Sequence, residues 1–235
     1  MDNREHARRF TDHLGLENPP VALAFADTAP QGVATGGAAV PSTCAFWRRA
    51  ETGVFFAPAE AHFNCPVGAM VMGFDLPKAI SDELMQLVGT MTKCGYIRSD
   101  EPGAIPTSPK KAAKGIVYGP LAQFPVAPDA VLFWLTPANA MVLSEAREGA
   151  AWGGSAPATV FGRPACAAIP KAMTAANTTL SLGCIGIRTF TGITEDLMLA
   201  VVPGTQVAEA AERVQRLRGI NDRMEDFYRA RAQRL

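Results

Sequence analysis

Four of the five cysteines fall into two pairs that look like copies of one motif, Cys44 with Cys65 and Cys166 with Cys184. Around the leading cysteine the chain reads Cys44-Ala45-Phe46-Trp47-Arg48-Arg49-Ala50 in one copy and Cys166-Ala167-Ala168-Ile169-Pro170-Lys171-Ala172 in the other. The trailing cysteine opens Cys65-Pro66-Val67-Gly68 and Cys184-Ile185-Gly186. If the two stretches are related by a pseudo-two-fold, four sulfurs and two glycine-bearing turns converge on one internal site. Thiolates at such a site would suit a soft metal, a cluster or nucleophilic chemistry.

Cys44, Cys65, Cys166 and Cys184 together match the ligand set of an iron–sulfur cluster or a tetrahedral zinc ion. Their spacing is not a standard signature of either, because zinc sites and ferredoxins use more closely spaced pairs. Pro66 suits the first position of a helix, which places Cys65 at a helix N-terminus, where unpaired N–H groups stabilise a thiolate. Gly68 and Gly186 would let the backbone approach a bulky cofactor, since no Cβ stands in the way. Against this stands the habit of free cysteine to fill cores as a small apolar residue, a reading that fits Cys166 in its alanine-rich run best. Cys94 has no counterpart in the second copy and reads as incidental.

His62 lies three residues before Cys65 and could ligate a metal or donate a proton to a substrate held at the Cys65 thiolate. The plainer alternative is a loop histidine bonded to backbone. Arg188, four residues after Cys184, could clamp a carboxylate or phosphate, or could be a surface arginine at a strand edge. Phe46, Trp47 and Trp134 read as core residues that would also wall a flat cofactor.

Several function classes lose support. Lys and Arg total 22 and Asp and Glu total 22, so no net field draws nucleic acid or an anionic membrane. The first ten residues are charged and lack a signal-peptide core, and the most apolar stretch, residues 130–143, is broken by Pro137 and Asn139. The expectation is a cytoplasmic protein, in which five cysteines serve as free thiols, metal ligands or nucleophiles rather than as cross-links. No phosphate-binding, dinucleotide-binding, zinc-protease or serine-hydrolase motif is present in the sequence.

The elements that must position these residues recur in one order. A helix is expected from Asn3 to Leu14 with Gly15 as its stop. Pro20 to Phe25 is an apolar run of strand length, matched by Pro128 to Leu135, and each is followed by cysteine, helix, strand and cysteine. A helix at residues 77–88, a strand at Ile116-Val117-Tyr118, a strand at residues 197–202 and an amphipathic helix at residues 205–217 complete the body. The segment from Asn221 to Leu235 reads as a separate peripheral helix whose Met224, Phe227 and Tyr228 could pack on the body or on a second subunit. A polar, Pro-rich connector at residues 98–113 is the candidate boundary. The first half then covers residues 1–100 and the second residues 114–218, with 219–235 as the C-terminal helix and both halves fused into one unit. The fold class is α/β or α+β, two similar halves with mixed sheets related by pseudo-two-fold internal duplication.

At these same residues the chain resembles a prokaryotic family, domain of unknown function 169. The resemblance runs through Leu14-Gly15-Leu16, Pro19-Pro20-Val21-Ala22, Cys44-Ala45-Phe46-Trp47, and His62-Phe63-Asn64-Cys65-Pro66-Val67-Gly68-Ala69. It continues through Val117-Tyr118-Gly119-Pro120-Leu121, Pro128-Asp129-Ala130-Val131, Arg163 to Pro170, and Ser181-Leu182-Gly183-Cys184-Ile185-Gly186-Ile187-Arg188. It implies no settled activity, and it carries over Cys44, Cys65, Cys166, Cys184 and Arg188. Where many relatives have Tyr-x-x-Gly after the Cys-Pro-x-Gly turn, this chain has Met70-Val71-Met72-Gly73.

The leading expectation is a redox-related protein whose four cysteines hold an iron–sulfur cluster, with zinc or haem as other candidates, and which meets a small-molecule ligand or a redox partner. A non-catalytic binder of a small molecule or tetrapyrrole, and a metal-free enzyme with Cys65 as nucleophile, are the competing readings. A homo-oligomer is plausible through the terminal helix.

Overall fold

Apolar runs buried on both faces must sit inside a layered structure, and the two such runs here are central neighbours in one sheet. The computed structural model describes residues 2–36, 40–110, 113–146 and 159–234. Residues 37–39 of the Gly/Ala-rich connection after the first strand, and 111–112 of the Pro-rich connector, lie outside the described residues.

In chain order the elements are α1 (Asn3–Leu14), β1 (Val21–Ala26), α2 (Ala45–Arg49), β2 (Phe55–Pro58), α3 (Pro66–Val71), α4 (Lys78–Lys93) and β3 (Gly115–Pro120). They continue with β4 (Ala130–Leu135), α5 (Pro137–Glu145), β5 (Thr159–Phe161), α6 (Ala168–Ala175), β6 (Thr179–Ser181), α7 (Ile185–Thr191), β7 (Met198–Pro203) and α8 (Val207–Ala232). The expected α/β class is present as a single mixed sheet instead of separate sheets. Its seven strands run in the order β2-β3-β1-β4-β7-β6-β5, and every pairing is antiparallel except β5 with β6.

Strand alternation divides the core into two. Val21 and Leu23, Ile116 and Tyr118, Leu132 and Trp134, and Leu199 and Val201 point to one face, where α2, α3 and α6 supply Phe46, Trp47, Ala69, Ile169 and Ala172. Ala22, Val117, Val131, Phe133, Ala200 and Val202 point to the other, covered by Phe10 and Leu14 of α1, Leu143 of α5 and Val214 and Leu217 of α8. Burying each large apolar side chain on either face contributes about 1.5–3 kcal/mol, so both helical layers are anchored by the same strands.

Two stretches of the sheet repeat in register. Val21 pairs with Pro120 and Ala26 with Gly115 in β1–β3, and Ala130 pairs with Pro203 and Leu135 with Met198 in β4–β7. Phe55 opposes Tyr118 at one outer pairing and Thr179 opposes Val201 at the other. Pro120 and Pro203 each end their strand and lead into a 3-10 turn, Leu121–Gln123 and Gly204–Gln206. The first amide of each turn donates 2.8 Å to an equivalent carbonyl, Leu121 to Pro20 and Gly204 to Asp129.

The ends of several helices follow from their sequences. Gly15 closes α1 in the left-handed conformation at φ +60, which glycine adopts without a Cβ penalty. Thr136 caps α5 by accepting from the Asn139 amide, with Pro137 at the first position. One expectation is corrected: residues 221–235 are not a separate helix, because α8 runs unbroken from Val207 to Ala232. Gly219 costs a helix interior only about 1 kcal/mol and no proline interrupts the run, so the flanking good helix formers carry it through. Met224, Phe227 and Tyr228 do not reach the body and stay exposed. Among the described residues no helix is long and apolar enough to cross a membrane.

Candidate functional site

The Cys-Ala copies place their sulfurs by the same local device. Cys44 is the residue before α2, Cys65 the residue before α3 and Cys184 the residue before α7, while Cys166 lies in a 3-10 turn, Ala165–Ala167, that runs straight into α6. All four helices lie on the same side of the sheet. There α2 packs against α7, and α3 packs against the turn that carries Cys166. Elements that carry cysteines from the two halves of the chain are therefore neighbours.

Burial pushes the Cys44 thiol up to about 12, with Cys65 and Cys184 adding to the rise and a Ser42 hydrogen bond opposing it. Burial holds Cys166 well above the usual thiol range, and Cys65, Cys184 and Cys44 each push it further. Burial first, and the neighbouring thiols second, favour the protonated form of Cys44 and Cys166. All four are free thiols and only partly buried, whereas Cys94 is exposed at the end of α4, with its sulfur on the Met91 carbonyl.

Two hydroxyls from the residues preceding Cys44 line the same region. Ser42 Oγ lies 2.9 Å from Cys44 Sγ. Thr43 is 1% exposed, and its Oγ1 has no hydrogen-bond partner. Gly68 sits beneath it: a Cβ there would lie 2.3 Å from Thr43 Oγ1 and 3.0 Å from Cys65 Sγ. Glycine at this position thus admits the Thr43 side chain and the Cys65 sulfur together. A Cβ at Gly186 would meet Cys184 Sγ at 3.8 Å, an ordinary contact, so that position is spacious.

Of the two readings the sequence left open for His62, the contact with the Pro58 carbonyl matches a histidine bonded to backbone. His62 is 1% exposed, and both ring nitrogens are engaged, Nδ1 3.0 Å from the Pro58 carbonyl and Nε2 3.0 Å from the Tyr118 hydroxyl. A carbonyl only accepts, so Nδ1 carries the proton and Nε2 accepts from Tyr118. Burial lowers its pKa to about 4, which leaves the ring neutral near pH 7. Packed between Phe46 and Phe74, each 4.8 Å away, it is a positioning residue with neither a proton to give nor a free lone pair for a metal. Its partner Tyr118 was not singled out as a site residue. Burial raises the Tyr118 phenol, with Cys166 and Cys44 adding to the rise. Alternation in Ile116-Val117-Tyr118 was the available signal.

Arg188 also turns inward to backbone. Its guanidinium donates to the carbonyls of Thr194 at 2.7 Å, Leu182 at 2.8 Å and Leu197 at 3.3 Å. In this way it ties the turn that carries Cys184 to the segment entering β7. Gly183 in that turn has φ +90, and a Cβ built on it would lie 3.5 Å from the guanidinium. Leu182, Ile185 and Phe190 stay exposed around the same turn.

Among the described residues, no three His, Cys, Asp or Glu side chains are gathered tightly enough to hold a single metal ion. A tetrahedral zinc would need its sulfurs within roughly 4 Å of one another. A cluster distributes its cysteines over several iron atoms and asks for a wider ring.

The fold is a three-layer α/β/α arrangement in which Cys44, Cys65, Cys166 and Cys184 all lie on the helical layer of one face of the sheet. The chain belongs to the family DUF169, described as Uncharacterised ArCR, which it matches over residues 9–213. No curated protein and no solved structure matches it.

Proposed function

We propose that the protein is a redox-related iron–sulfur protein in which Cys44, Cys65, Cys166 and Cys184 ligate one cluster between two duplicated halves. The observation that carries this reading is the packing of the cysteine-bearing elements on one face of the sheet, α2 against α7 and α3 against the turn that holds Cys166. The donor set is chemically right, since four cysteine thiolates are the ligands of [2Fe–2S] and [4Fe–4S] clusters. A bound cluster would supply one-electron transfer, and the apolar core cluster against which Cys44, Cys166 and Cys184 pack would limit solvent near those sulfurs. The high thiol pKa of Cys44 and Cys166 argues against these two as free nucleophiles.

The duplication is part of the proposal. The strand order is palindromic about the β1–β4 pair, with β3 answering β7 and β2 answering β6, and the shared register and turn hydrogen bonds support it. On this reading the first repeat ends after the Leu121–Gln123 turn. The connector at residues 98–113 then belongs, with α4, to an insertion inside the first repeat and is not the boundary.

Elemental analysis and an absorption spectrum on protein purified without oxygen test the function. Iron and acid-labile sulfide in comparable amounts, with broad sulfur-to-iron absorption that bleaches on reduction, are expected. A folded preparation without iron that cannot be reconstituted with ferrous iron and sulfide would overturn it, and a sharp Soret band would point to a tetrapyrrole instead.

A further inference from the structure

The outer half of α8 leaves the body of the protein. Its inner stripe, Val207, Ala210, Ala211, Val214 and Leu217, is buried, and the helix packs there on α1 and α5. The same spacing continues outward through Ile220, Met224, Phe227 and Tyr228, yet every residue from 222 to 234 is exposed. Met224 is 44% exposed, Phe227 56% and Tyr228 57%, and the two rings meet edge to face with centroids 5.7 Å apart. Roughly three turns of helix without tertiary packing are marginal in water, and an apolar stripe on them stabilises nothing until it is covered. The charges on these turns are segregated lengthwise. Asp222, Glu225 and Asp226 outnumber Arg223 in the first part, whereas Arg229, Arg231 and Arg234 carry the second with no acid among them. Arg218 with Asp222 and Arg229 with Glu225 pair along the helix itself, which accounts for part of the pattern but not for the apolar stripe.

We propose that this stripe is a self-association surface, covered by the same turns of a second copy of the chain lying antiparallel about a two-fold axis between Phe227 and Tyr228. The interface is then isologous, each copy giving the other the same patch. Phe227 and Tyr228 pack on their own counterparts at the axis. Met224 lies level with the partner's Arg231, whose methylenes cover it. The acidic turn of each copy runs beside the basic turn of the other, whereas a parallel pair would set three arginines against three arginines, so the charge pattern selects the antiparallel arrangement. Residues 222–232 span only about 16 Å of helix, less than a standard interface needs, so the dimer is weak, with a dissociation constant on the order of 10–100 μM. The surface lies on the face of the sheet opposite the cysteines, and its test does not depend on what the thiols hold.

Sedimentation velocity of the full chain, over concentrations bracketing that range and at low and high salt, reads the equilibrium directly. A reductant is present throughout, so that Cys94, exposed at the end of α4, links no copies. A reversible monomer–dimer equilibrium that weakens as salt rises is expected, because the attraction between the acidic and basic turns is screened. Phe227→Glu should raise the dissociation constant more than about a hundredfold, since the ring is lost from both copies and like charges meet at the axis. Tyr228→Ser, a milder change at the same axis, should raise it about tenfold. Both variants should keep the parent's far-ultraviolet circular dichroism and melting temperature, because the two side chains touch nothing in the body. Met85→Glu makes the same chemical change at a site on α4 that is 67% exposed, and it should leave the equilibrium unchanged. A chain that is monomeric across the whole range, or a dimer that persists in folded Phe227→Glu and Tyr228→Ser, overturns the surface. Association that tightens with salt overturns the antiparallel pairing.

Discussion

The Tyr118 hydroxyl lies 3.0 Å from His62 Nε2, and this bond joins strand β3 to the loop that leads into Cys65. Tyr118 comes from the second strand in from one edge of the sheet and His62 from a 3-10 turn, so the pair fixes the depth at which that loop enters the core. Tyr118→Phe leaves Nε2 buried without a donor. Chemical denaturation should show a loss of about 1–3 kcal/mol.

His62 also sets a pH dependence with a definite sign. Its folded pKa, about 4, is below the ordinary value of 6.5, so the unfolded chain binds the proton more readily. Its contribution is complete above pH 6.5 and is lost as pH falls toward 4, by on the order of 3 kcal/mol. A His62→Gln variant should show a flatter decline than the parent between those pH values, measured by urea unfolding.

Gly68 and Gly186, expected from sequence to play the same part, should respond differently. Gly68→Ala drives a methyl against Thr43 and the Cys65 sulfur and should cost about 1–3 kcal/mol, with faulty loading of the site. Gly186→Ala meets only an ordinary contact and should melt within a degree or two of the parent. Thermal denaturation of the two variants side by side checks the contrast.

Each of Cys44→Ser, Cys65→Ser, Cys166→Ser and Cys184→Ser should lower iron content and visible absorption after anaerobic purification. Cys94→Ser, at an exposed site on α4, should leave both unchanged.

Replacing Arg188 with lysine removes the planar fork that reaches three carbonyls. A loss of about 1–3 kcal/mol is expected, and amide hydrogen exchange should rise in the Cys184 turn before it rises elsewhere.

Much of this arrangement was legible in the residues. The paired cysteines, Pro66 after Cys65, Gly15 after Leu14 and the two apolar strands all carry local signals, because caps and alternation act over a few residues. The partners of His62 and Arg188 were not legible. A ring bonded to Tyr118 and a guanidinium bonded to Thr194 and Leu197 depend on contacts across the fold, which spacing does not encode. The place of β3 was also obscured, since the polar connector at 98–113 looks like a linker while β3, which follows it, is hydrogen-bonded between β1 and β2. The C-terminal segment misled for a similar reason: its charge pattern changes near Asn221, but helical hydrogen bonding is indifferent to that change.

The β1–β4 pairing at the centre of the sheet has a consequence for biosynthesis. A chain emerging from the ribosome presents Cys44 and Cys65 long before Cys166 and Cys184, and the early pair lacks its neighbours until the later strands dock. Until translation has passed Cys184, nascent chains carry Cys44 and Cys65 without the later elements that bury them in the finished fold.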